Sequence, residues 1–216
     1  MNKDDFPEKY RKYFEVIYAQ LHWLELLYRD RESLFATEQR RNLLQEAAPL
    51  FFHKLQRVIN IEIYLIIARL TDEPTTGEDE NLSIKGLSAQ LKVDYHFRVA
   101  RSINKILGSI SEELSPVRNV RNKLLSHLDA RSLQNNEPNK LLEKDALELL
   151  INKLFEAFNV FTGSFADTGV AFDLEANTES VESILNQIKD AKRYRELVDS
   201  GKIDKFDFME TDYYSY

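Results

Sequence analysis

Six glycines and five prolines are all that interrupt 216 residues. Sandwiches, barrels and propellers spend these residues on their many turns, so a chain this poor in them is constrained to long helices. The apolar residues repeat accordingly. Tyr10, Tyr13, Phe14, Ile17, Leu21, Leu24 and Tyr28 fall at steps of three and four, the face of an amphipathic helix over about 6–29. A second helical stretch runs from about Thr37 to Leu70, with Pro49 kinking or dividing it because proline lacks the backbone donor and clashes with the preceding turn. After Pro49 come Phe51, Phe52, Leu55, Val58, Ile59, Ile63, Ile66, Ile67 and Leu70, dense enough to place this segment at the centre of a bundle. A buried strand is the competing reading, but length without breakers favours helix.

Residues 72–82 form an acidic loop containing Pro74 and Gly77, and Ser83 is positioned to cap a short helix through Leu91. Another helix is expected from about Asp94 to Leu114. The pair Ser115-Pro116 then reads as a helix start, with serine as cap and proline in the first position. That helix is expected to reach Leu128. Asn135, Asn136 and Pro138 mark a loop, and Leu147, Leu150, Ile151, Leu154, Phe155, Phe158 and Phe161 a further helix ending near Gly163. Val181, Ile184, Leu185, Ile188 and Leu197 mark a last one ending near Gly201. The expectation is one all-α domain over 1–201, a bundle of about six main helices, followed by a Tyr-rich tail over 202–216.

Charge and composition narrow the classes of function. With no cysteine there is no disulfide framework, zinc ribbon, iron–sulfur site or thiol nucleophile. The net charge of −7 repels phosphate on average, so any nucleic-acid role needs a local patch. Such a patch exists. From Asp94 to Arg131 there are seven cationic and four anionic residues, a net of +3 that leaves −10 to the remainder. The polar, acidic start Met1-Asn2-Lys3-Asp4-Asp5 is not a signal peptide, and the apolar run Val58–Leu70 carries Asn60, Glu62 and Arg69 and is too short to span a bilayer. The protein is expected to be cytoplasmic and soluble, with no membrane partner.

One helix breaks its own pattern. Advancing about 100° per residue from Val117, the positions Val120, Leu124, Leu128 and Leu125 form an apolar stripe, and Arg121 falls inside it near 40°. His127 falls at the stripe's edge near 280°. A guanidinium on an apolar face is costly unless it is paired or lines a cleft, and it offers five donors that match phosphate oxygens. An imidazole exchanges protons near neutral pH. A second copy of the helix across a two-fold axis would gather two arginines and two histidines in one cleft. The bland alternatives are a buried ion pair of Arg121 with a carboxylate such as Glu62, and a His127 satisfied near a helix C-terminus.

The other candidates read as structural. His22, His53 and His96 have no spaced partner, Glu112 and Glu113 diverge on a helix, Glu78-Asp79-Glu80 lacks the alternation of a calcium loop, and Gly77, Gly86 and Gly108 form no phosphate loop. No metal ligand set and no cofactor site is apparent.

The segment Arg121-Asn122-Lys123-Leu124-Leu125-Ser126-His127 resembles the Arg, polar residue, spacer, His motif of the HEPN superfamily. The continuation Leu128-Asp129 and the upstream run Ile63–Asp72 are similar to its abortive-infection, AbiU-type branch, over about residues 10–165. The resemblance implies an all-helical bundle, often dimeric, acting as a metal-independent endoribonuclease in a toxin or phage-defence setting. The RNA 2′-hydroxyl would attack its own phosphodiester. His127 would be general acid or base, Arg121 would stabilise the developing charge, and Asn122 and Arg118 would support the phosphate. RNA, a second copy and an antitoxin protein are the implied partners. Five residues separate Arg121 from His127 where many members have four, and Asp129 stands where antitoxin-modified members have tyrosine. A HEPN-like module without catalysis, binding a partner protein or nucleotide, is the alternative.

Overall fold

The computed structural model describes residues 3–125, 142–166, 169 and 179–204. Eight α-helices lie among them, slightly more than expected: α1 (Glu8–Phe35), α2 (Glu38–Ala47), α3 (Pro49–Leu70), α4 (Ile84–Val93), α5 (Phe97–Gly108), α6 (Leu114–Leu125), α7 (Lys144–Phe165) and α8 (Glu179–Asp199). The ten-residue α2 and α4 account for the surplus. The only strands among the described residues are two pairs, β1 (Thr75–Thr76) and β2 (Asp79–Glu80), which close an antiparallel hairpin over Gly77 in the left-handed region at φ 63°. The Tyr-rich segment 205–216 lies outside the described residues.

The chain divides into two compact units, residues 1–28 with 58–174 and residues 29–57 with 175–216. In the first, all seven apolar positions read from α1 are buried, as are all seven from α7. Their aromatic rings interleave. Phe6 stacks on Phe14 at 4.5 Å and on Phe161 at 5.1 Å between centroids, while Tyr10 meets Phe165 at 5.1 Å. Helix α5 packs on α4 and α7. In the second unit, α2 packs on α8, Thr37 caps α2 through Arg40 N, and Lys192 bridges to Glu46 at 2.6 Å.

Proline acts at Pro49 as the residue chemistry requires: α2 ends before it, and it occupies the first position of α3, where its missing donor costs nothing. Only the second half of α3 is central. Ile59, Ile63, Tyr64, Ile66, Ile67 and Leu70 are buried, whereas Leu50, Phe51 and Val58 are exposed.

The expected helix from Asp94 to Leu114 is shorter at both ends. Tyr95 adopts φ 65°, with Tyr95 N donating to Lys92 O and His96 N to Leu91 O, the paired bonds that stop a helix with a left-handed residue. Glycine is the usual occupant of that position, so the stop carried no sequence signal here. Turn residues 109–113 lead into α6, which begins at Leu114, so Ser115 is inside the helix rather than its cap. Pro116 remains within the first turn, where no intrahelical donor is needed.

Next to the break, Asp94 accepts from Tyr10 Oη at 2.8 Å and Gln90 Nε2 at 3.1 Å, and pairs with Lys9 at 2.8 Å. The Lys9 ammonium first, then Gln90 and Tyr10, lower its carboxyl to about 2. The same contact, after desolvation, pushes the Tyr10 phenol upward.

Candidate active site

Helix α6 buries Leu114, Val117 and Val120, as the stripe predicts. Arg121, one step from Val120, is neither sealed in nor fully solvated: its side chain is 26% exposed. Its Nη1 donates to Asp72 Oδ1, and Nε and Nη2 each approach Asn122 Oδ1 at 3.4 Å, at the long limit of a hydrogen bond. One strong partner therefore orients the guanidinium while donors on its other nitrogens remain only weakly engaged.

The acid is Asp72 rather than the Glu62 considered from sequence. Glu62 instead accepts from Arg69 at 2.7 Å, two turns along the same helix. Asp72 sits just past the end of α3, and its placement is built from small hydroxyl residues. Buried Thr71 donates from Oγ1 to Ile67 O at 2.8 Å, tightening the last turn. Buried Ser83 donates to Asp72 O at 2.8 Å and accepts from Gly86 N at 2.9 Å, so one hydroxyl both ties down Asp72 and caps α4. Between them the acidic loop is cross-linked by Asn81, which donates from Nδ2 to Glu73 O at 2.8 Å and Thr76 Oγ1 at 2.7 Å, and from its backbone N to Pro74 O at 2.8 Å.

Gly86 lets this loop close on α4. A Cβ there would stand 2.2 Å from Asn81 O and 3.3 Å from Tyr13 Cε1. Helix propensity alone makes a glycine-to-alanine change favourable by about 1 kcal/mol. The clash with a backbone oxygen reverses that sign. Gly86→Ala is expected to destabilise the protein by about 1–3 kcal/mol in urea denaturation, the range for overpacking a filled site. A gain in stability would mean that the loop yields freely and does not hold Asp72.

Of the other site residues named from sequence, Asn122 is exposed and lies against Arg121, and Arg118, half-buried, makes no ion pair with a described residue. His127 lies outside the described residues, as do Asp129 and the rest of 126–141. No motif or periodicity in the sequence singles out Asp72 as the partner of Arg121. The available signal was its position, an acid immediately after the most apolar helix.

Among the described residues, neither His53 nor His96 lies beside Arg121. His96 packs edge-on against Phe165 at 5.1 Å, and His53 lines an apolar cavity of about 360 Å³ with Phe35, Leu44, Pro49 and Phe52. Among the described residues no group of His, Asp and Glu could hold a metal ion, and no helix is long and apolar enough to cross a membrane.

A model of the HEPN family AbiU2 matches residues 5–194, nearly the whole chain. No match was found among curated proteins or solved structures. The eight helices agree with that match, and the chain belongs to the AbiU2 branch of the HEPN superfamily.

Proposed function

We propose that this protein is a HEPN-type endoribonuclease that cleaves RNA without a metal ion, working as a homodimer. The observation that carries the reading is Arg121: a guanidinium placed beside buried valines, aimed by Asp72, and still open to solvent on part of its surface. In the proposed reaction the RNA 2′-oxygen bonds to the adjacent phosphorus and the bond from phosphorus to the 5′-oxygen breaks. The products are a 2′,3′-cyclic phosphate and a 5′-hydroxyl. His127 takes the proton of the 2′-hydroxyl or returns one to the 5′-oxygen. Arg121 meets the charge that grows on the non-bridging oxygens. Asp72 acts as a positioning residue, and Asn122 and Arg118 add contacts to the phosphate.

Incubating RNA with the protein in the presence of a chelator tests this reading. Cleavage with cyclic-phosphate ends is expected, and Arg121→Gln is expected to slow it about 10²- to 10³-fold, the usual loss on removing one transition-state donor. Cleavage that requires divalent ions, or that Arg121→Gln leaves unchanged, would overturn it.

The Arg121–Asp72 pair also supports a second reading, an inactive HEPN module in which the pair is purely structural. The two readings part on Asp72→Asn. A structural pair predicts that Asp72→Asn and Arg121→Gln lose similar, non-additive amounts of stability, near the ~1 kcal/mol of a half-exposed pair. The nuclease reading predicts loss of cleavage rate beyond any loss of folded protein.

A further inference from the structure

The most unusual surface of the first unit lies at the junction of α4 and α5. Val93, Tyr95 and Phe97 are exposed in succession, by 70%, 82% and 54%. The Tyr95 and Phe97 rings meet edge to face at 5.8 Å and 85°, which leaves ring faces open to solvent. Tyr95 holds this position in the left-handed region at φ 65°, a conformation that bulky side chains rarely adopt. The turn that ends α4 therefore places the Tyr95 ring in solvent.

Beside the rings runs a cationic stripe. On α5, with Arg98 set to zero, Lys105 falls near 340°, Arg101 near 300° and Ser102 near 40°, opposite the buried Ala100, Ile103 and Leu107. Arg98, Arg101 and Lys105 are exposed, and none makes an ion pair with a described residue. The one acid in the segment, Asp94, is already held by Lys9. A chain of net charge −7 thus keeps, among the described residues, three cations without an ion pair in one row next to two exposed aromatic rings.

We propose that this surface binds single-stranded RNA, with the α5 cations on backbone phosphates and Tyr95 and Phe97 stacked on bases. This extends the RNA-directed reading of the Arg121 site to a separate surface. Charge selects an anionic occupant, and open ring faces beside cations are the pattern of single-strand platforms. An anionic membrane fits less well, because the continuous apolar face of α5 is buried against α4 and α7 and only three apolar tips remain.

The test uses the full chain and a fluorescent 12-nucleotide 2′-O-methyl RNA, which has no free hydroxyl to attack and so reports binding whether or not the protein is a nuclease. Wild type is expected to bind at low salt. Arg98→Gln/Arg101→Gln/Lys105→Gln is expected to weaken binding and to flatten the slope of log affinity against log salt by about 2, from ~0.7 per phosphate contact. Tyr95→Ala/Phe97→Ala is expected to weaken binding at least about 30-fold with the slope unchanged. No binding by wild type overturns the proposal, as does wild-type affinity in both variants, or binding lost only in Arg121→Gln. Binding to phosphatidylserine vesicles in place of the oligonucleotide, or a dimer that the aromatic variant dissociates without any oligonucleotide binding, assigns the surface to another occupant and overturns it too. Failure here leaves metal-free cleavage by Arg121 standing, and loss of the cleavage reading leaves this binding measurement intact.

Discussion

His127→Ala is expected to lower the rate of metal-free RNA cleavage by about 10²- to 10⁴-fold, the usual contribution of one positioned proton-transfer group. An imidazole titrates near 6.5 when unperturbed, so it is the side chain suited to move the 2′-hydroxyl or 5′-oxygen proton near neutral pH. The pH profile separates its role from that of Arg121, whose charge does not change over any working range. Wild-type cleavage is expected to vary with pH across the neutral range. The residual activity of His127→Ala is expected to lose that limb, whereas Arg121→Gln keeps it at a lower rate. Equal cleavage by wild type and His127→Ala would remove His127 from the reaction. Absence of cleavage in both would favour the inactive module that the Arg121–Asp72 pair also supports.

The second large effect concerns the scaffold. Phe161 is fully buried and touches Phe6, Tyr10, Phe158 and Phe165 with ring centroids 5.1–6.0 Å apart. It joins the N-terminal end of α1 to α7. Truncation to alanine removes both the transferred apolar surface and the ring contacts, and rigid aromatic neighbours cannot all collapse into the space. Phe161→Ala is expected to cost about 3–5 kcal/mol by urea denaturation. That is a large part of the roughly 5–15 kcal/mol that holds a domain folded. Phe161→Leu should cost less because it refills part of the volume. A loss below about 1 kcal/mol for the alanine variant would mean that these rings do not form a close-packed core.

Much of this fold was legible because the period of its apolar residues is undiluted. Every apolar position of the stripes read on α1 and α7 is buried, since each helix has one partner side and one wet side. Thr37, Ser83 and Gly201 announce helix ends by their chemistry, and Gly201 indeed takes φ 68° after α8. Two features were hidden. The first half of α3 also carries large apolar residues, so the pattern alone did not tell exposed Leu50, Phe51 and Val58 from the buried run that follows. Tyr95 ends α4 in a conformation normally given to glycine, which no local preference predicts.

The site divides along the same line. Arg121 stood out because it interrupts a stripe, and the periodicity that identified it involves only neighbours on one helix. Its partner lies forty-nine residues earlier, across a loop whose closure depends on Gly86 and Ser83. Glu62 and Asp72 are equally good acids in sequence. Only the tertiary turn at Thr71 and Asp72 chooses between them.

That arrangement shifts where damage to the site would register. Ser83 Oγ is a single atom on which two connections converge, one to the carbonyl of Asp72 and one to the first turn of α4. Removing it leaves Arg121 and every other group of the proposed site chemically intact while loosening the strut behind the guanidinium. If the proposed cleavage holds, a genetic screen for silenced variants is expected to recover lesions in the 71–86 segment that an inventory of the proposed substrate contacts would never include.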